Sequence, residues 1–242
     1  MSPISYYYDM ALWLSPFYSG LREVFYGASL LRLWWLLVPM ALGVAILRWR
    51  RRYSFPAIIG FTGFAEMTIE IVVLLAFQAL HGYVYYEVSL IVAAFMVGMA
   101  GGGVVMNWLL ERLKPPPFDR DRSFLTLSAL RWVTPLRVLI LVQGMVVLYA
   151  LTLPLVLTRV AAWSFPILTL VAGFLGGFDF PLADHLTKGG VGRVAGLTYG
   201  ADLVGSCFGA LLASALFIPV LGIPQTCYAV ALLSLAGLTL LL

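Results

Sequence analysis

The sequence predicts an all-α fold: a polytopic transmembrane helix bundle of about seven spans, with the N-terminus outside and the C-terminus in the cytoplasm. Three observations carry this expectation. Of the 242 residues, 62% are hydrophobic and 11% are charged, whereas a soluble domain carries about 25% charge. Polar side chains are too few to cover a water-soluble globule. Apolar stretches recur at roughly 20 residues, the length that crosses about 30 Å of hydrocarbon. The Lys and Arg residues also segregate: once the spans are laid out, twelve of the fifteen fall in alternate loops, which the positive-inside rule assigns to the cytoplasm.

Residues 1–27 form a segment of their own. No Lys or Arg precedes Arg22, so the positively charged start of a signal peptide is missing. Tyr6, Tyr7, Tyr8, Trp13, Phe17, Tyr18, Phe25 and Tyr26 crowd this stretch. Such side chains favour the membrane–water boundary. The segment reads as an interfacial arm on the outer leaflet, or as a docking surface for an extracytoplasmic partner.

Residues 28–242 form the transmembrane domain, with spans expected at 30–49, 55–80, 88–110, 135–155, 163–181, 195–218 and 223–242. Each break has a chemical cause. Arg48, Arg50, Arg51 and Arg52 close the first span with charge. Pro115, Pro116 and Pro117 open a polar loop holding Asp119, Arg120, Asp121 and Arg122. Gly189, Gly190 and Gly192 follow the fifth span. Pro219 and Pro224 bracket a short turn at Gly222, making the last two helices an antiparallel hairpin.

Several function classes drop out. Cys207 and Cys227 lie in apolar runs and form no CxxC pair, so neither a disulfide framework nor a zinc ribbon is expected. His81 and His185 fall on opposite sides of the membrane in this topology and cannot share a haem or metal. No nucleophile–base constellation or phosphate loop can be assembled. No catalytic residue, metal site or cofactor is therefore assigned. The formal charge of +4 reflects membrane orientation rather than nucleic-acid binding.

Acids inside the bilayer are the most informative residues. Glu66 and Glu70 lie near the middle of the second span and, four residues apart, share a helix face. A charged acid there costs about 2.5–3.5 kcal/mol on insertion scales, so such residues face a protein interior. No Lys or Arg occupies the centre of any span. Either a carboxyl keeps a proton or a mobile cation serves as partner; the structural alternative is a pair of protonated carboxyls tying helices together. Gln78 and His81, towards the outer end of the same span, either extend a polar path outward or sit at the membrane interface.

A second polar stripe, Tyr199, Asp202 and Ser206, follows spacings of three and four on the sixth span. The pairs Gly98/Gly102, Gly173/Gly177, Gly196/Gly200 and Gly205/Gly209 each form a G-x-x-x-G face that lets another helix approach closely. Asp179 closes the fifth span just before Pro181, with Asp184, His185, Lys188 and Arg193 beyond it. That end reads as a salt-linked loop or a cytoplasmic gate.

At these motifs the chain resembles a known family. Gly60-Phe61-Thr62-Gly63-Phe64-Ala65-Glu66-Met67, with Glu70, Phe77-Gln78, Gly82-Tyr83-Val84-Tyr85 and Phe95-Met96-Val97-Gly98, is similar to the membrane region of spermidine-synthase-like fused proteins. So are Gly176-Gly177-Phe178-Asp179-Phe180-Pro181-Leu182-Ala183, Tyr199-Gly200-Ala201-Asp202-Leu203-Val204-Gly205 and Pro219-Val220-Leu221-Gly222, which extends the resemblance over residues 55–242. In that family, transporter-like helices adjoin a cytoplasmic aminopropyltransferase domain, and long forms carry two helical halves. The resemblance implies a second helical half. The 242 residues hold no counterpart of the catalytic domain, so no enzymatic activity is expected of them.

Two functions follow as expectations. One is a non-catalytic subunit of the bacterial inner (plasma) membrane, in contact with the bilayer and assembled with other membrane or extracytoplasmic proteins or with further copies of itself. An electron-transfer or polyamine-related complex would be its setting. The other is a transporter-like protein moving a small cation such as a polyamine or protons. A lone helical half is a thin basis for alternating access, which works between two repeats, and this favours the subunit.

Overall fold

The computed structural model describes residues 54–82, 85–113, 135–186 and 191–241. The aromatic arm 1–27, the expected span 30–49 and the Pro/Arg-rich loop 114–134 lie outside them. Every regular element among the described residues is a helix.

Helix α1 (Ser54–His81) ends where Gly82, at φ +85°, turns the chain and donates its N–H to the Gln78 carbonyl at 3.0 Å. Helix α2 (Tyr85–Leu113) runs back, and α3 (Pro135–Leu157) follows the polar loop. After a 3₁₀ turn at Ala162–Ser164 comes α4 (Phe165–Gly176), with proline in its first turn, where no N–H is needed.

The expected fifth span, 163–181, is two helices. Helix α4 stops at Gly176, the chain tightens through Gly177 and Phe178, and α5 (Asp179–Leu186) begins. Pro181 sits in the first turn of α5, where its missing N–H costs no helical bond. The proline that the sequence marks as a terminator is thus accommodated by a fresh helix start.

Helix α6 (Val191–Leu212) widens into a π turn over Ala213–Phe217 before a short helix, α7 (Ile218–Leu221). The widening precedes Pro219, which has no N–H for the turn before it. Gly222, at φ +83°, then turns the chain into α8 (Ile223–Leu241). The turn stands where the sequence places it, but α8 packs on α3 and α1 rather than on α6, so the last two helices do not form the expected packed hairpin.

Five stretches are long and apolar enough to cross a membrane: Ala57–His81, Tyr85–Arg112, Arg137–Leu157, Ala162–Leu182 and Gly196–Leu221. They coincide with expected spans two to six. The apolar part of α8, Ile223–Thr239, is shorter. This is the architecture of a multi-pass membrane protein.

Helix α1 is the centre of the bundle. It packs against α6, α8 and α4, while α2 packs mainly on α4 and α3 on α8. Of its central apolar stretch 61% is buried, against 22% for α2 and for α6, whose other faces no described residue covers. The main core joins Val72, Val73, Phe77, Phe95, Leu153, Phe165 and Val230 from five helices. A smaller cluster of Met106, Leu110, Leu139, Val142 and Leu182 closes the end near α5.

Glycines set the closest helix contacts. A Cβ at Gly98 or Gly102 of α2 would fall on the Leu170 or Phe174 carbonyl of α4, and one at Gly173 or Gly177 on the Phe95 or Met99 carbonyl of α2. Two G-x-x-x-G faces therefore meet each other. Gly205 and Gly209 of α6 lie against the backbone of Gly60 and Phe64 of α1. At Gly196 and Gly200 nothing approaches within 4 Å among the described residues.

Candidate functional site

The α1–α6 seam carries polar groups as well as glycines. On α1, Thr62 and Glu66 are four residues apart and both buried. The Thr62 hydroxyl donates to the Ile58 carbonyl at 2.9 Å, which keeps its own donor satisfied within the helix. Its oxygen accepts from Gln143 Nε2 of α3 at 2.8 Å. The same amide nitrogen lies 3.4 Å from Asp179 Oδ2, at the first position of α5. Gln143 is 2% exposed and Asp179 4%, so this link is sealed from solvent.

The break between α4 and α5 is what delivers Asp179 to this place. The carboxyl of Glu66 lies directly on Gly176, the last residue of α4; a Cβ there would collide with all three atoms of that group. Across α1, Asp202 is seated the same way. A Cβ at Gly63 would fall on Asp202 Oδ1 and come within 2.8 Å of Ser206 Oγ. Two acids thus occupy notches that only glycine leaves open.

Glu66, Asp179 and Asp202 interact electrostatically with one another. No basic group acts on any of them among the described residues. Three like charges in a low-dielectric interior cannot all be ionised without a proton or a cation among them. Asp179 Oδ1 is buried and has no hydrogen-bond partner. Among the described residues, no three His, Cys, Asp or Glu side chains converge closely enough to hold a metal ion.

The other residues singled out from sequence lie elsewhere. Glu70 is buried one turn from Glu66 but has no charged neighbour among the described residues. Tyr199 is exposed, its ring 6.0 Å from that of Phe180. Gln78 is half-buried near the end of α1. His81 is exposed, stacked on Phe77 at 5.3 Å with Phe165 edge-on at 5.5 Å. The expected salt link of Asp179 to Lys188 or Arg193 involves side chains outside the described set; the described partner is Gln143.

Sequence reasoning passed over Gln143 and gave Thr62, Gly63 and Gly176 only as parts of the family-like motifs, with no role in the site. Gln143 had a signal, a single amide in the middle of an apolar span. The two glycines had none, because their role depends on which side chain stands opposite. No family model, curated protein or solved structure matches the chain.

Proposed function

We propose that the protein is a membrane carrier module that moves protons or a small organic cation through the site of Glu66, Asp179 and Asp202. One observation carries this reading: three carboxyls from three helices lie close enough to act on one another, with Glu66 and Asp179 buried, and no basic side chain among the described residues acts on them. A structural role alone asks only for hydrogen bonds, and the buried Asp179 Oδ1 makes none. The interrupted helix α4–α5 adds to the case, since transporters build ion sites at breaks in spanning helices. The setting that fits the charge bias is the bacterial plasma membrane, with seven spans and the N-terminus outside.

The test is reconstitution of the full chain into liposomes, with internal pH and labelled spermidine uptake followed side by side. Glu66→Gln should remove flux while the protein still inserts. Undiminished flux through that variant would sink the reading.

A second reading, a non-catalytic subunit, is favoured by the open Gly196/Gly200 face of α6, which suits a closely packed partner helix. The resemblance to spermidine-synthase-like fused proteins supplies one candidate, an aminopropyltransferase or the other helical half. Gentle-detergent purification from native membranes tests it. Stoichiometric partners lost on Gly200→Leu would support it, and a partner-free protein would not. Retention of every partner after deletion of residues 1–27 would remove the aromatic arm from the docking surface.

A further inference from the structure

Resting on the carrier reading, we infer that the cargo is the proton itself, held between Asp179 Oδ1 and the Glu66 carboxyl as one shared site. Four observations lead there. Asp179 is 96% buried by the measure of its 4% exposure, and its Oδ1 has no partner. A proton bound at that atom turns it into a donor, and the Glu66 carboxylate is its electrostatic neighbour. The orphan is then satisfied, and one of the two adjacent negative charges is removed.

Access is the third observation. Glu66 and Asp179 are only 9% and 4% exposed, and the Glu66 carboxyl is packed flush on Gly176. An alkyl ammonium ion brings a methylene chain as well as a charge, and would have to displace packed neighbours to reach either carboxyl. Fourth, the acids do not converge into a metal-binding group among the described residues. A proton needs neither volume nor a coordination shell.

The groups around Asp179 make the site self-contained. Glu66 faces it from α1 and Asp202 from α6, while α3 offers the neutral Gln143. Helix α2 meets α5 through Met106 and Leu110, which cluster with Leu182. Transfer conserves charge: the O–H bond at Asp179 breaks as one forms at Glu66, and the negative charge passes the opposite way. Gln143 Nε2 stays on Asp179 Oδ2 in both states, which leaves Oδ1 as the exchanging atom.

The experiment uses the full chain in vesicles of phosphatidylethanolamine and phosphatidylglycerol, with a pH-sensitive dye trapped inside. Labelled spermidine uptake is followed in parallel. An imposed pH difference should produce a dye response without spermidine accumulation. Glu66→Gln and Asp179→Asn should each return the dye response to that of protein-free vesicles. Spermidine accumulation without a dye response would overturn the proton inference and leave the carrier reading standing. Absence of both fluxes would remove both.

Infrared difference spectra on the same vesicles give a readout independent of flux. A carboxylic-acid C=O band should be present in the unaltered protein and lost in Asp179→Asn; a spectrum without that band overturns the shared proton.

Discussion

The molecule uses one packing device at two seams, and the seams differ in what they enclose. Between α2 and α4, Gly98, Gly102, Gly173 and Gly177 bring backbone against backbone, and the seam carries no acid: its buried polar group is Thr169, whose hydroxyl donates to the Ile91 carbonyl at 3.1 Å. Between α1 and its neighbours α6 and α4, Gly60, Gly63, Gly176, Gly205 and Gly209 achieve similar closeness. There, however, Gly176 faces a carboxyl group, and Gly63 faces one together with a backbone carbonyl. The α2–α4 seam holds helices together; the seams around α1 also store charge. Small residues alone do not distinguish the two uses. The side chain opposite does.

The comparison can be broken most severely at the apolar seam. Gly98→Leu places a branched side chain where the Leu170 carbonyl already sits. Overpacking costs about 1–3 kcal/mol even when neighbours can relax, and backbone cannot retreat as a side chain does. Loss of folded protein is expected, measured as an early midpoint in thermal unfolding in detergent. A midpoint equal to that of the unaltered chain would show that the two helices separate freely.

Gln143→Leu should come next. It removes the donor to Thr62 and to Asp179 Oδ2, leaving the Thr62 hydroxyl as the side-chain partner of the buried carboxyl. A stranded buried polar group costs about 1–3 kcal/mol, more when charged. Stability and proton flux should both fall, whereas Val146→Leu on the same helix should leave flux unaffected. Equal effects of the two would deny Gln143 its link to the acids.

Gly63→Ala cuts at the acids themselves. Its methyl group would displace the Asp202 carboxyl and also press on the Asp202 backbone carbonyl at 2.7 Å, which cannot swing aside. A stability loss of about 1–3 kcal/mol is expected, with a larger proportional loss of flux. The smallest effect belongs to Glu70→Gln. Glu70 is buried but stands outside the group of three acids, so an isosteric neutral side chain should leave flux unchanged and shift stability by less than about 0.5 kcal/mol. Loss of flux in this variant would redraw the site around Glu66 and Glu70, the pair that the sequence pattern suggests.

That last contrast shows how far the sequence reads. Spacing of four places Glu66 and Glu70 on one face of α1, and α1 does bury both. Sharing a face is not sharing a neighbour: Glu66 meets α4 and the acids beyond it, whereas Glu70 has no charged neighbour among the described residues. Tyr199 and Asp202 divide similarly, since a helix face is wide enough to offer one residue to a seam and the next to the outside. Asp179 was legible as an acid beside a break and illegible as a buried one, because Pro181 marks where a helix can stop but not that another begins at once.

Composition by itself determined that this chain enters a membrane as apolar helices. Hydration of so much apolar surface is unfavourable, and backbone polar groups in hydrocarbon can be satisfied only within helices or closed barrels. The order of spans two to six and the turn at Gly222 followed from length, charge and turn chemistry, all local properties of the chain. Which helices touch, and therefore that Gly176 receives Glu66, Gly63 receives Asp202 and Gln143 reaches Asp179, was decided by tertiary structure alone. Contacts between helices depend on rotation and crossing, and residues on different helices, from 36 positions apart for Gln143 and Asp179 to more than a hundred for the glycine–acid pairs, have no local signal that announces their meeting.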